Sequence, residues 1–361
     1  MAAGQRRERV GRKLKKEIGE ALLFWYDHNA RILPWRADKN PYRIWVSEIM
    51  LQQTRVEAVK PYFDRFMEEL PEVKDLAEVD EEKLMKLWEG LGYYNRARNL
   101  KAAAQTIVKE YDGKLPNDYD QLLSLKGIGM YTAGAIASIA YDIRVPAVDG
   151  NVLRVMARLL GDDSDILKEK TKKEMAERVM EIMPDQRAGD FNQALIELGA
   201  IVCVPNGEPK CCECPWDTVC TAYREDLIGR LPVKKPKKKR KIEKRTVFVI
   251  ETDSMVALHK REEKGLLAGL WEFPNILGKC SQDLVEETLD GWGMSDCVYE
   301  FTHEGKHIFS HIEWQMSGVL VSLKEPVESE ELTWVSKKDL EEEYAIPSAF
   351  EMFRESLQSA H

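Results

Sequence analysis

No stretch of this chain offers the roughly 18 to 20 consecutive apolar residues that a membrane-spanning helix requires. The opening segment, MAAGQRRERVGRKLKK, has no apolar core of the kind a secretory signal carries. Both absences lead to the expectation of a soluble protein that is not exported and has no membrane partner. Disulfide frameworks are equally ill supplied. There are seven cysteines, an odd number, and Cys211 and Cys212 are adjacent, which suits a reducing compartment and a metal site better than a set of bridges. No internal repeat is visible. Alternation of strand type is nearly absent from the first 228 residues, where apolar residues recur at helical spacing instead. Positive charge is also lacking in sum: the net charge is −9, superficially an argument against a nucleic acid partner.

The sum conceals an asymmetry. Residues 1–229 carry −4 and residues 246–361 carry −14, whereas residues 230–245 carry +9 from ten basic side chains and one acidic. Screening confines charge interactions to about 10 Å, so a positive run between acidic blocks can still meet phosphates. That run, GRLPVKKPKKKRKIEKR, has two prolines and almost no apolar content and reads as a linker. A chain of 361 residues exceeds the usual size of one core. Two domains are therefore expected, 1–229 and 246–361, joined by 230–245.

In the first, Asn40 and Pro41 read as the N-cap and first-turn proline of a helix through YRIWVSEIMLQQT. Further helices are expected near 55–69, 80–90, 95–111, 119–125, 130–141, 150–160, 168–183 and 189–200. After the linker the texture changes. RTVFVIETD, SMVALHKRE, CVYEFTH and HIFSHIEWQMSGVLVSL alternate as strands do, and helical patterns cover Ser281 to Asp290, Lys337 to Tyr344 and Ser348 to Leu357. The fold class is multidomain: an all-α first domain and a mixed α+β second domain.

Three features of the first domain carry chemistry. Cys203, Cys211, Cys214 and Cys220, in the spacing C-x7-C-x2-C-x5-C, can close one soft-ligand metal site. Thiolates at such spacing suit an iron–sulfur cluster or zinc, and spacing alone leaves both open. Cys280 and Cys297 read as plain core thiols. In LKGIGMYTAGAIASIAY, Gly127 and Gly129 permit a tight turn between two helices. They also let backbone N–H groups at the second helix's start approach an anion, naturally a phosphate. In VPAVDGNVLRV, Asp149 immediately precedes a helix. It reads as an N-cap, and the N–H groups it accepts would hold the carboxylate ionised.

A helix–hairpin–helix with G-I-G, an aspartate in VDGNV and a trailing four-cysteine loop together resemble the endonuclease III superfamily of DNA glycosylases. WVSEIMLQQTRVEAV, GLGYYNRARNL, GIGMYTAGAIASIAY, VPAVDGNVLRV and FNQALIELGAIVC are similar, more closely, to its MutY family, over most of residues 20–230. One departure is the seven residues between Cys203 and Cys211, where the family has six. It leaves Cys211 or Cys212 as second ligand, and the following spacings select Cys211.

The resemblance implies removal of adenine from double-stranded DNA at 8-oxoguanine·adenine or guanine·adenine mispairs, by a monomer. Breaking that glycosidic bond takes two carboxyl groups of unequal protonation. Glu48, the acidic residue in WVSEIMLQQT, becomes the general acid and Asp149 the anion that stabilises the sugar cation. Tyr131 stands where bifunctional relatives have a Schiff-base lysine, which implies a monofunctional enzyme. Gln53 and Tyr93 are implied as wedge residues at the duplex, and Arg31, Trp35 and Gln193 as lining of the adenine pocket. The cysteines would then hold a [4Fe–4S] cluster as a structural brace, with Lys210 as a candidate phosphate contact.

The second domain resembles a Nudix-like module, but LVEETLDGWG does not supply the R-E-x-x-E-E metal-binding arrangement. Binding rather than phosphohydrolysis is implied. Phe309-Ser310-His311, read here within a strand, matches the family's element for 8-oxoguanine. Two other functions share parts of the pattern: a pyrimidine or thymine-mismatch glycosylase, and a catalytically silent DNA-binding protein. A cytoplasmic, nucleoid-associated location is expected; PKKKRK also resembles a nuclear import signal, should the source be eukaryotic.

Overall fold

The computed structural model describes residues 2–235 and 239–358, with side chains over 16–235 and 239–357. Pro236, Lys237 and Lys238, in the middle of the expected linker and the first three residues of PKKKRK, lie outside the described residues. The chain forms two compact units, one of residues 1–78 and 99–236, the other of residues 79–98 and 237–361.

The helical elements, in chain order, are α1 (Ala2–Asn29), α2 (Pro41–Met50), α3 (Val56–Glu69), α4 (Val73–Glu78), α5 (Glu81–Leu87), α6 (Asn95–Glu110), α7 (Tyr119–Ser124), α8 (Met130–Tyr141), α9 (Gly150–Leu160), α10 (Glu169–Ile182), α11 (Ala188–Ile201) and α12 (Thr221–Arg224). Asn40 caps α2 as its sequence implies, its side chain accepting from the N–H groups of Tyr42 and Arg43 with Pro41 in the first turn. α8 is apolar on nearly every side and is buried from Thr132 to Ile139, packed between α2 and α11. Its small residues make that possible. A Cβ on Gly134 would lie 2.2 Å from the carbonyl oxygen of Pro146. A second core gathers Leu22 and Trp25 of α1, Val152 and Met156 of α9, Phe191, Leu195 and Leu198 of α11, and Trp216 from the cysteine loop.

The second unit is built on a seven-stranded sheet: β1 (Lys241–Glu251), β2 (Met255–Lys260), β3 (Trp271–Glu272), β4 (Asn275–Leu277), β5 (Val298–Ile308), β6 (Ile312–Ser322) and β7 (Thr333–Ser336). The main order is β3-β2-β1-β6-β5, with β4 beside β1 and β7 beside β2. β1 and β6 run parallel over their whole length, while β5 and β6 form an antiparallel hairpin. Helix α13 (Gln282–Gly291) covers one face over Phe248, Ile250, Val319 and Val321. On the other face α14 (Lys337–Glu342) and α15 (Glu351–Gln358) cover Val247, Val249, Trp314 and Met316.

Residues 79–98 belong to this second unit, although the sequence leads one to expect a helical domain running unbroken to 229. The bonds that hold them are polar. Lys86 Nζ donates to the carbonyls of Leu340 and Tyr344, at 3.4 and 3.0 Å. Glu89 accepts from the Ile346 N–H at 2.8 Å and from Arg354 at 3.2 Å.

A second difference concerns Phe309-Ser310-His311. These residues form the turn of the β5–β6 hairpin instead of lying within a strand, closed by Phe309 N–H donating to Ile312 O at 2.8 Å. Apolar residues at Ile308, Phe309 and Ile312 mimic an unbroken strand across the turn. Among the described residues no helix is long and apolar enough to cross a membrane.

Candidate active site

Helices α2, α8, α9 and α11 of the first unit surround a cavity of about 900 Å³. Eight of the residues singled out in the sequence line it: Arg31, Trp35, Glu48, Gln53, Gly129, Tyr131, Asp149 and Gln193. Glu48 faces it from α2, inside an apolar stretch, and is only 7% exposed. Tyr131, in the first turn of α8, donates its hydroxyl hydrogen bond to Glu48 Oε2. Burial pushes the Glu48 pKa up to about 7; the Tyr131 bond and the charge of Arg36 pull it down, and Asp149 pushes it further up. The Tyr131 hydroxyl is itself driven well above its ordinary value, by burial first and then by the two carboxyl groups.

Asp149 caps α9. Its Oδ1 accepts from the Val152 N–H at 2.8 Å and its Oδ2 from Asn151 Nδ2 at 2.7 Å. Burial raises its pKa above the ordinary carboxylate value, and these hydrogen bonds oppose the rise. Capping thus limits the cost of burying this charge without cancelling it. Asn151 accepts in turn from Arg154 Nη2 at 2.9 Å, and Arg154 Nε donates to Cys203 O at 2.8 Å.

Arg31 differs from expectation in how its donors are used. Its Nε, Nη2 and backbone N–H bind Glu197, at 2.7, 3.0 and 3.0 Å, and Arg36 adds a fourth bond at 2.9 Å. Glu197 is fully buried, and its two cations hold its pKa below the usual value despite that burial. A carboxylate so placed would cost about 3 to 5 kcal/mol if left unpaired. Sequence reasoning passes over Glu197, yet it interrupts an apolar helix in FNQALIELGAIVC just as Glu48 does in WVSEIMLQQT. Trp35 is buried edge-on against Phe63, with ring centroids 5.5 Å apart.

Gly127 and Gly129 shape the hairpin between α7 and α8. Gly127 has φ +80°, and a Cβ there would meet Asn99 at 2.7 Å. Gly129 is the N-cap of α8 and carries no side-chain cap, so the first-turn N–H groups of a twelve-residue helix have no cap from that residue. Gln53 and Tyr93, in different units, both adopt left-handed backbone, φ 60° and 50°, a conformation that side chains of this kind seldom accept without outside support.

Cys203, Cys211, Cys214 and Cys220 line a common small cavity with Arg158 and Trp216. Cys212 is exposed and lies outside it, in a groove with Phe24 and His28. Arg158 Nη1 donates to Cys203 Sγ at 3.2 Å. Burial, with help from neighbouring thiols, raises the pKa values of Cys211, Cys214 and Cys220, that of Cys214 to about 12. Among the described residues no three His, Cys, Asp or Glu side chains converge closely enough to hold a single metal ion. Lys210 pairs with Glu213 at 3.6 Å on the surface.

In the second unit the hairpin turn brings two predicted residues together, the Tyr93 hydroxyl lying 3.3 Å from Ser310 Oγ. Phe309 packs edge-on against Trp314, 4.8 Å between centroids. His311 is exposed, and its carbonyl accepts from the Lys241 N–H at 3.1 Å.

A helix–hairpin–helix at the mouth of a cavity with one buried and one half-buried carboxyl group is a recurrent arrangement. Residues 46–182 match the model of the HhH-GPD superfamily base excision DNA repair proteins, and residues 246–355 match that of the NUDIX domain. The class is therefore a helix–hairpin–helix DNA glycosylase of base excision repair, with DNA as its substrate. The chain is 34% identical to the adenine DNA glycosylase of Schizosaccharomyces pombe, over 89% of this chain and 85% of that one. It is 33% identical to the mouse adenine DNA glycosylase, over 93% and 78%. The protein belongs to the adenine DNA glycosylase family. Among solved structures it resembles a thermostable thymine-DNA glycosylase, with TM-score 0.54 and 28% identity over 59% of this chain and 98% of that one. Endonuclease III in a non-covalent complex with DNA is similar at TM-score 0.50 and 26% identity, over 59% and 98%.

Proposed function

We propose that this enzyme, acting as a monomer, hydrolyses the N-glycosidic bond of adenine paired with 8-oxoguanine or guanine and does not cleave the strand. The observation that carries this reading is the unequal pair in the cavity. Glu48, with a pKa of about 7, is part protonated near neutral pH, and Asp149 sits at a helix N-terminus with two donors on its carboxylate. Glu48 donates its proton to the departing adenine ring, which leaves as a neutral base. The sugar cation is stabilised by Asp149, and water activated by the Glu48 carboxylate completes the hydrolysis. Tyr131 keeps Glu48 oriented and, lacking an amine, forms no Schiff base.

Specificity for the opposite base is assigned to Phe309, Ser310 and His311. Oxidised guanine carries an N7–H donor where guanine has a lone pair, and the Ser310 hydroxyl can accept it. The turn position of these residues supports the reading, because a hairpin tip can enter a duplex where a mid-strand residue cannot. The left-handed backbone at Gln53 and Tyr93 supports their assignment as wedges.

The four cysteines are proposed to hold a [4Fe–4S] cluster, as endonuclease III-like glycosylases commonly do. A zinc ion would need all four sulfurs within about 2.3 Å of one point. A cluster takes one thiolate per iron, and the four thiols line one cavity. Cys211 is preferred over Cys212 because only Cys211 lines it. When bound, the cluster supplies a rigid brace for the loop from 203 to 220.

The test is a nicking assay after alkali on duplexes carrying adenine or thymine opposite 8-oxoguanine or guanine. Adenine-containing duplexes should be nicked and Asp149→Asn should abolish the product. Product only from thymine, or an unchanged rate in Asp149→Asn, would overturn the reading.

A further inference from the structure

The face of the sheet that α13 covers is only half covered. Strand register places Lys244 of β1, Gln315 of β6 and Lys306 of β5 on one rung and on the same face as Phe248 and Val319, but beyond the end of the helix. Lys244 and Lys306 are exposed there, and exposed Lys279, from the loop after β4, joins them in one cleft of about 420 Å³. The next rung toward the hairpin turn is Ile242, Glu313 and Ile308, whose two isoleucines are 57% and 48% exposed. From Lys306 to Ile308 is two residues, about 7 Å along the strand. The cleft therefore opens just behind the Phe309–Ser310–His311 turn.

The charge is unusual for its surroundings. Residues 246–361 sum to −14, and other lysines of this unit are engaged: Lys241 with Glu243 at 3.0 Å, Lys260 with Glu82 at 3.1 Å and Lys337 with Glu251 at 2.7 Å. Lys244, Lys279 and Lys306 form no ion pair among the described residues. The two carboxylates on this face are occupied by neutral donors, Glu304 by Ser317 Oγ at 3.4 Å and Glu313 by Gln315 Nε2 at 3.2 Å. Three exposed ammonium groups that share one cleft without an ion pair concentrate positive potential there, and the enzyme's substrate is a polyanion.

We propose that this uncovered end of the sheet is a docking surface for the DNA backbone, with Lys244, Lys279 and Lys306 contacting successive phosphates beside the base that the hairpin turn reads. The inference rests on assigning that turn to the base opposite adenine. Backbone contacts carry no sequence information but fix register, so the face holds the duplex while Ser310 tests one base.

The experiment is a fluorescence-anisotropy titration of the full chain with two duplexes, one bearing 8-oxoguanine opposite a non-hydrolysable adenine analogue and one undamaged, at several salt concentrations. Replacing Lys244, Lys279 and Lys306 together by glutamine should flatten the slope of log affinity against log salt by up to about 2.7, about 0.9 for each phosphate no longer neutralised. Both duplexes should be weakened alike. Lys324→Gln, an exposed lysine beyond the far end of β6, should leave the slope unchanged. A triple variant with the slope of the unmodified protein, or one no flatter than Lys324→Gln, would overturn the proposal. Ser310→Ala with His311→Ala separates the two readings. It should erase the preference for the damaged duplex at an unchanged salt slope, and a retained preference would refute the role of the turn while the lysine result stands by itself.

Discussion

Glu48→Gln should make the protein more stable as it makes it inactive, and the gain should depend on pH. In the folded chain the carboxyl titrates at about 7 instead of its usual 4.5. Above pH 7 the folded state holds a buried charge that the unfolded chain would rather carry in water. Between pH 4.5 and 7 the folded state binds the proton that the unfolded state has released, so stability falls as pH rises through this window and rises as pH falls through it. A shift of this size amounts to about 3 kcal/mol when fully expressed. About a quarter of it is already present at pH 5, which leaves the larger part, on the order of 2 kcal/mol, between pH 5 and pH 8. Glutamine keeps an acceptor for the Tyr131 hydroxyl but carries no charge. Urea unfolding of both proteins at pH 5 and pH 8 isolates the term, because other titrations cancel in the double difference. The variant's advantage should grow by about 2 kcal/mol from the lower to the higher pH. An advantage that is equal at both values, or smaller at pH 8, would refute the claim that Glu48 is held by desolvation in a partly protonated state.

Two further outcomes follow from the same geometry. Tyr131→Phe removes the one hydrogen bond that favours the ionised form of Glu48, and such a bond to a charged group is worth about 1.5 to 3 kcal/mol. The alkaline limb of the single-turnover pH profile should move up by about one to two units, and a limb that moves down would contradict the acid role of Glu48. Cys211→Ser should lower iron and acid-labile sulfide in the purified protein together with its visible absorbance, whereas Cys212→Ser should leave all three intact; the reverse pattern would reassign the second ligand.

Much of this molecule can be read from local chemistry. Asn40 with Pro41 announces α2, and the helix boundaries around Gly129 and Asp149 follow from caps and turns that need only neighbouring residues. What escapes depends on distant partners. α1 does not announce itself because its first half is dense in lysine and arginine; it is Leu22, Leu23, Trp25 and Tyr26, meeting α11 far along the chain, that bury it. Segment 79–98 looks like one more helix of the first domain, since nothing in its amphipathic pattern says which core it faces. The turn at Ser310 is hidden by apolar flanks that keep the strand rhythm, and β4 and β7 are too short for a period to declare itself. The catalytic cavity shows the same division: Glu48 and Asp149 stand out by position, but the buried bond from Tyr131 and the Glu197 cradle exist only once four helices meet.

The allotment of residues 79–98 also bears on how the protein can be cut. The backbone passes from one unit to the other three times, between 78 and 79, 98 and 99, and 236 and 237. The crossing between 236 and 237 is therefore one of three, although the lysine-rich segment 230–245 looks from the sequence like the sole tether; its last residues, from Lys241, are already part of β1. A protease that nicks that crossing would leave residues 79–98 on the N-terminal fragment, cut off in sequence from the rest of their own unit. A gene truncated there would strand Lys86 and Glu89 without the carbonyls, amide and guanidinium they bind. A single scission there divides the second unit's own residues between two fragments instead of parting the two units.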